Sequence, residues 1–302
     1  MQKSDLQDFI KGNHMKTIKD SVTTQSVIKS IGRSKPFCAA AILALFCSLH
    51  GNGIAFAGDS AVPETSRVGV SVDLPVLSAF VWRGQVVNSD AVSQPSLTVT
   101  KGGFSANVFG NVNLTNISPI DAPRVTETDF TFSYSTKINS LATSAGWIEY
   151  LFPNQTVIDS VTGLRKAAPG TRELFVTAGL PELPGAPSIA LYRDVDLIKG
   201  SYIVASSGYT TSINEGKVSV GLSGSIGYGS AGYNNGYFGV NSAAFNDITL
   251  TAAATIKAAE NFLVTPTVQY AALLDSDIEK NVRASGKDDS KVIYSLKFSY
   301  TL

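Results

Sequence analysis

The sequence predicts an all-β fold: an antiparallel transmembrane β-barrel of about 12 strands, following a cleaved signal peptide. Three observations carry that prediction. The chain ends in a long strand with one continuous apolar face, it begins with a basic stretch followed by a short apolar run, and the residues between fall into alternating segments separated by turns.

The closing stretch, Lys291 to Leu302, reads KVIYSLKFSYTL. Side chains of a strand point alternately to opposite faces, so Val292, Tyr294, Leu296, Phe298, Tyr300 and Leu302 make one apolar face, while Ser295, Lys297, Ser299 and Thr301 make a polar one. Such a strand has lipid or a core on one side. As the free edge of a soluble sandwich it would be an aggregation hazard, whereas a barrel removes the edge by pairing it. Tyr294, Leu296, Phe298, Tyr300 and Leu302 also resemble the C-terminal assembly signal of outer-membrane barrels, with Leu302 standing where a final Phe is usual.

At the other end, Phe37 to Leu49 (FCAAAILALFCSL) is an apolar run of 13 residues, preceded by Lys29, Arg33 and Lys35 and followed by Ala55-Phe56-Ala57. The run is too short to span a bilayer, which favours a secretory signal peptide cut between Ala57 and Gly58 over an unprocessed anchor. Residues 1–57 are then a signal peptide with an extended basic region, and 58–302 the barrel. Whether the chain starts at Met1 or Met15 stays open. Cys47 does not read as a lipoprotein cysteine, because Phe46 precedes it where a small residue is expected.

Removing residues 1–57 takes away both cysteines (Cys38, Cys47) and both histidines (His14, His50), and leaves 17 basic and 21 acidic residues, a net charge of −4. Catalysis or metal ligation through His or Cys is thereby excluded, and no cofactor is expected. The charge gives no support for nucleic-acid binding. Without disulfides, stability has to come from elsewhere, and a closed hydrogen-bonded sheet supplies it.

No later apolar run approaches a spanning helix, so a membrane location requires a closed barrel. The first alternating segment, Arg67 to Trp82, runs through Val68, Val70, Val72, Leu74 and Val76, and is expected to resume at Phe80 and Trp82 after a bend at Pro75. Gln94 to Thr100 is the second. Lys101-Gly102-Gly103 is a hairpin turn, after which Phe104 to Leu114 sets Phe104, Ala106, Val108, Gly110, Val112 and Leu114 against Ser105, Asn107, Asn111 and Asn113. A fourth strand carries Phe130, Phe132 and Tyr134 outward; Leu141 to Phe152, Arg172 to Leu180, Ser188 to Asp194 and Ser201 to Thr210 follow, the facing of the last two being ambiguous. Pro181 to Pro187 reads as a turn. Lys217 to Tyr228, strands around Ile248 to Ile256 and Phe262 to Tyr270, and the final strand complete an even number, as a single-chain barrel requires.

Connections near Gly102, Asn139, Gly185, Glu215 and Glu260 are mostly short, and those near Asp90, Pro119, Gly163, Asn235 and Lys287 are longer, with a short exception near Lys199. This alternation separates periplasmic turns from extracellular loops and puts both termini in the periplasm. Trp82, Tyr134, Tyr150, Tyr270 and Tyr300 are expected to form interface girdles.

The inward face is then small and neutral: Thr98, Asn107, Asn111, Thr131, Ser219, Ser223, Thr249, Thr251, Thr265, Thr267, Gln269 and Ser299, with Asp73, Arg83, Glu149, Glu173 and Lys297 as its charged members. An open lumen lined in this way passes small hydrophilic solutes with weak charge selectivity. A barrel of this size is narrow, so an interior filled by side chains hydrogen-bonded across it stands as the alternative.

Other patterns read as structure. Gly221 to Tyr233 has the spacing of a strand with no helix after it, unlike a dinucleotide loop. Gly286-Lys287 lacks the remainder of a phosphate loop. Asp275-Ser276-Asp277-Ile278-Glu279 has Lys280 where a calcium loop needs glycine, so it reads as a solvated acidic loop. Tyr233 to Phe238 reads as an external loop rather than a sugar platform.

Ser78 to Gly84 (SAFVWRG), followed by Gln94-Pro95-Ser96 and by Lys101 to Leu114 (KGGFSANVFGNVNL), resembles the opening of the TorF-type porin family. The resemblance covers the first strands and hairpin, and elsewhere only the layout, including short segments around Tyr192 and Tyr202. It implies an outer-membrane barrel with pore activity and no assigned substrate. Trp82 would be a girdle residue and Arg83 would face the lumen or its mouth; no catalytic residue is carried over. The expected partners are outer-membrane lipids and lipopolysaccharide, the barrel-assembly machinery and small hydrophilic solutes. A closed structural or adhesive barrel, an outer-membrane enzyme and a soluble periplasmic β-protein are the rival readings.

Overall fold

The computed structural model describes residues 67–115, 124–159 and 162–302. The signal-peptide assignment over residues 1–57 and the connection at Pro119 lie outside the described residues. Backbone polar groups cannot be left unpaired in lipid, so strands that cross a bilayer must form a ring. That ring is present. In chain order its members are β1 (Gly69–Leu77), β4 (Val92–Ser93) with β5 (Ser96–Lys101), β6 (Phe104–Asn113), β7 (Arg124–Ile138), β8 (Leu141–Leu151), β11 (Thr171–Gly179), β12 (Ser188–Asp194), β13 (Ser201–Ile213), β14 (Val218–Gly229), β15 (Ala244–Ala259), β16 (Phe262–Leu273) and β17 (Ser290–Thr301). The short β4 and β5 occupy one position, so the barrel has 12 antiparallel strand positions. It closes where β1 pairs with β17, from Ser71 opposite Thr301 to Leu77 opposite Ser295.

Alternation fixes which face meets lipid. On β17, Val292, Tyr294, Leu296 and Tyr300 are exposed while Ile293 is buried. The same parity runs around the ring: Val72 and Leu74, Val108, Phe132 and Tyr134, Leu174 and Val176, Leu222, and Val268 and Tyr270 all point outward. Leu222 is 57% exposed and Leu174 53%, a degree that water would penalise and hydrocarbon favours. No helix among the described residues is long and apolar enough to cross a membrane. Register also resolves β12 and β13: Ala190, Tyr192, Tyr202 and Val204 are buried inside, whereas Ile189 and Leu191 are exposed outside.

Between consecutive barrel strands the shortest turns (102–103, 139–140, 214–217 and 260–261) lie at the end where β1 begins and β17 ends. At the opposite end the connections carry their own structure: a hairpin of β2 (Phe80–Trp82) and β3 (Gln85–Asn88), a second of β9 (Thr156–Ile158) and β10 (Arg165–Ala167), and two helices, α1 (Ala231–Phe238) and α2 (Ser276–Ala284). Several expectations change here. The first barrel strand stops at Leu77 and does not resume, because Phe80–Trp82 pairs with Gln85–Asn88 instead. A helix does follow β14, capped by the Ser230 hydroxyl accepting from the Tyr233 N–H, so Tyr233 to Phe238 is helical rather than an external loop. Asp275 caps α2, its carboxylate accepting from the Asp277 and Ile278 N–H groups, both at 3.1 Å. The acidic run it begins is therefore a helix start rather than a loose loop.

The lipid-facing assignment is tested on β17, where Phe298 stacks on Phe262 with ring centroids 6.3 Å apart. Replacing Phe298 and Tyr300 together by Asp places two charges on the hydrocarbon face. Loss of the heat-modifiable, membrane-inserted form is expected on gels; wild-type levels of inserted barrel would show that this face is not lipid-facing.

Candidate functional site in the lumen

The connection between β1 and β4 does not stay at the rim. Its β2–β3 hairpin turns through Arg83 and Gly84, both with positive φ (46° and 77°), the two-residue geometry that matches strand twist. A Cβ on Gly84 would lie 2.5 Å from the Asp247 Cβ and 2.9 Å from a Leu273 methyl, so glycine is needed for the close approach as well as for the backbone angle. Asp247 and Leu273 are on β15 and β16. Arg83 itself reaches β11, β12 and β13, on the far side of the ring from β1 where the hairpin starts. The hairpin therefore crosses the lumen.

Arg83 is fully buried at its tip. Its Nη1 and Nη2 donate to Glu173 Oε1 and Oε2 at 2.9 and 2.7 Å, a fork-to-fork pair, and the Tyr150 hydroxyl donates to Glu173 Oε2 at 2.9 Å. The guanidinium lies 4.6 Å from the Trp82 ring centroid, 4.6 Å from Tyr192 and 4.5 Å from Tyr202. Burial is the largest single influence and opposes its charge, but the Glu173 carboxylate together with the Tyr233 and Tyr150 hydroxyls raises the Arg83 pKa. Beside it the Tyr202 hydroxyl donates to Asp247 at 2.9 and 3.1 Å.

Two helices join the core around this bridge. On α1, Tyr237 meets Trp82 with centroids 4.9 Å apart, and Tyr233 meets Tyr202 at 5.2 Å. Asn246 holds α1 in place by donating to Asn234 Oδ1 at 2.7 Å. On α2, Ile278 and Val282 join the same core, and Asn281 donates to the Phe238 carbonyl at 3.0 Å. The short connection after β12 is shaped by Asp194, whose Oδ1 accepts from the N–H groups of Asp196, Ile198 and Lys199, each at 3.0 Å.

Nearer the termini the lumen wall is small and polar. Asn107 donates to Thr98 at 2.8 Å, the Ser188 and Ser206 hydroxyls are 2.7 Å apart, and Thr265 donates to Thr255 at 3.2 Å. Across the closing seam Lys297 lies 3.9 Å from Asp73, which also accepts from the Ser299 hydroxyl. Farther from the termini on the same wall, Asn111 accepts from Gln94 and donates to Thr126. Thr249 is buried on the inner face of β15, and Gln269 is half-buried on that of β16.

Of the charged residues read as lumen-lining, the structure sets Asp73, Arg83, Glu173 and Lys297 inside, but not together: Arg83–Glu173 bridges the far end and Asp73–Lys297 spans the seam. Glu149 is a correction. It shares the outer face of β8 with Trp147 and Leu151 and pairs with exposed Arg172 at 2.8 Å. Its inward neighbours are Ile148 and Tyr150, a parity that apolar side chains conceal when they are assumed to seek lipid. For the same reason Trp82 and Tyr150 are not girdle residues; Tyr134, Tyr270 and Tyr300 are exposed on the outer surface. Sequence reasoning missed Glu127, Asp129, Asp194 and Asp247. The first two share parity with Thr131, so the signal was available.

No family model and no curated protein matches this chain. Solved structures of similar overall form include a KdgM porin (TM-score 0.41, 14% identity, covering 76% of this chain and 98% of that one). A NanC porin gives TM-score 0.43 at 12% identity, covering 77% and 100%. An outer-membrane channel from Pseudomonas putida gives 0.42 at 9%, covering 78% and 94%. Likeness at these scores assigns no function.

Replacing Arg83 by Ala leaves Glu173 buried without its counter-charge, which costs about 3–5 kcal/mol. The hairpin is expected to leave the far wall, so that in a Trp147→Phe background the Trp82 emission shifts to the red. An unshifted spectrum would mean that the ion pair does not hold the bridge.

Proposed function

We propose that the chain is an outer-membrane porin-like barrel of the Gram-negative type, related to the TorF-type family that its 78–114 segment resembles, and that it allows passive diffusion of small hydrophilic solutes. Residues 1–57 are proposed to direct export and to be removed. The observation that carries the reading is the division of the lumen: a hydroxyl- and amide-lined half nearer the termini, and an opposite half crossed by the Arg83 hairpin. Polar walls accept hydrated solutes, and a bridge at one end sets the width of the path. Lipids and lipopolysaccharide would surround the apolar exterior, with the barrel-assembly machinery recognising the Tyr294 to Leu302 signal.

The filled half also favours a second reading. Hairpin, helices and aromatic cluster pack as a core does, which suits a closed structural or adhesive barrel whose loops meet a partner. An enzymatic role finds no His or Cys among the described residues.

Single-channel recording in a planar bilayer separates the two. The wild-type barrel is expected to give small, discrete steps of weak ion selectivity, and Arg83→Ala larger ones. Stable insertion of both proteins without conductance would reject the porin reading in favour of the closed barrel.

A further inference from the structure

The buried charge inside the barrel does not balance. Among the described residues, the buried ionisable acids are Glu127, Asp129, Glu173, Asp194 and Asp247, against one buried cation, Arg83. Glu173 is neutralised by Arg83, Asp194 is satisfied by backbone N–H groups and Thr171, and Asp247 accepts from Tyr202. Glu127 and Asp129 are left, two residues apart on the inner face of β7.

Asp129 is 2% exposed, and neither of its carboxylate oxygens has a hydrogen-bond partner. Two further oxygens on the adjoining inner wall are also buried and unpartnered: Oδ1 of Asn107 on β6 and Oγ of Ser96 on β5. Register decides which of them can meet. Phe109 lies opposite both Ser96 and Asp129 and its buried side chain separates them, whereas Asn107 lies opposite Thr131 and Asn111 opposite Glu127. Asn107 and Asp129 are thus diagonal neighbours on one face, with a Cβ separation of about 7 Å that two side chains reaching toward a shared atom can close. Burying an unpaired carboxylate is costly, and every unsatisfied atom named on this patch is an oxygen. Oxygen donors with excess negative charge suit a hard cation or an ammonium group.

We propose that Glu127 and Asp129, with Asn107 Oδ1, form a cation-binding site on the lumen wall, beside the Arg83 bridge. Its occupant is a positive charge bearing no lone pair of its own, either a metal ion such as Ca²⁺ or the primary ammonium of a solute in transit. This deepens the proposed function and rests on it for the meaning of transit, although binding itself does not require conduction.

The test is calorimetric titration of the purified full-length barrel with calcium chloride and, separately, with ethylammonium chloride, in detergent. Binding of at least one is expected, weakened about tenfold or more in Glu127→Gln and in Asp129→Asn. Heat-modifiable mobility checks that each variant is folded. Calcium alone identifies a metal site, and ethylammonium a solute site; either supports the proposal. No binding of either salt by the wild-type barrel, or equal affinity in folded variants, overturns it. Binding without conductance would retain the site and reject the porin, and conductance without binding the reverse.

Discussion

Everything in this molecule depends on one pairing, that of the first strand with the last. Until β1 meets β17, both strands carry a row of unpaired backbone groups, which lipid cannot satisfy. Once they pair, from Ser71–Thr301 to Leu77–Ser295, the sheet has no edge, and the whole exterior can be apolar without a hydrogen bond being lost. Closure also creates an inside. The alternation that sends Leu74 and Phe298 to lipid sends Asp73 and Lys297 inward, where they come within 3.9 Å across the seam.

Within that enclosure the two ends differ. Toward the termini, hydroxyls and amides bond to neighbours along the wall, and among the described residues no element crosses the lumen. At the other end, β2–β3, α1 and α2 carry aromatic side chains into the barrel and build a core in the space. Its centre is charged: Arg83 and Glu173 share two hydrogen bonds under a roof of Trp82, Tyr192 and Tyr202. A buried pair of this kind is weak evidence for net stability, since both ions lose their hydration. What it does specify is position. A fork of two donors accepts one orientation of a carboxylate, and so fixes where the hairpin tip rests.

Strand existence and facing were legible wherever one face is apolar and the other polar, as on β6, β14, β15 and β17. Legibility failed where both faces carry large apolar groups. On β8, Trp147 and Leu151 meet lipid while Ile148 and Tyr150 meet the internal core, and composition cannot tell one destination from the other. Glu149 was misread for that reason. The hairpin was hidden in the same way, because Phe80 and Trp82 keep the period of the strand before them; only the Arg83-Gly84 pair marks the turn. Which side chains converge depends on contacts between distant strands, and Arg83 and Glu173 stand 90 residues apart.

The hairpin has a mechanical consequence as well. A thin-walled tube resists stretching along its hydrogen bonds but flattens readily, since an ellipse needs only small changes of twist between neighbouring strands. The β2–β3 segment is rooted at the closing seam, fastened to the opposite wall by Arg83 and braced against β15 by the fit of Gly84 on Asp247. It acts as a strut across the diameter, so that lateral pressure from the bilayer is carried across the lumen by a ribbon whose far end rests on an ion pair and the aromatic core around it.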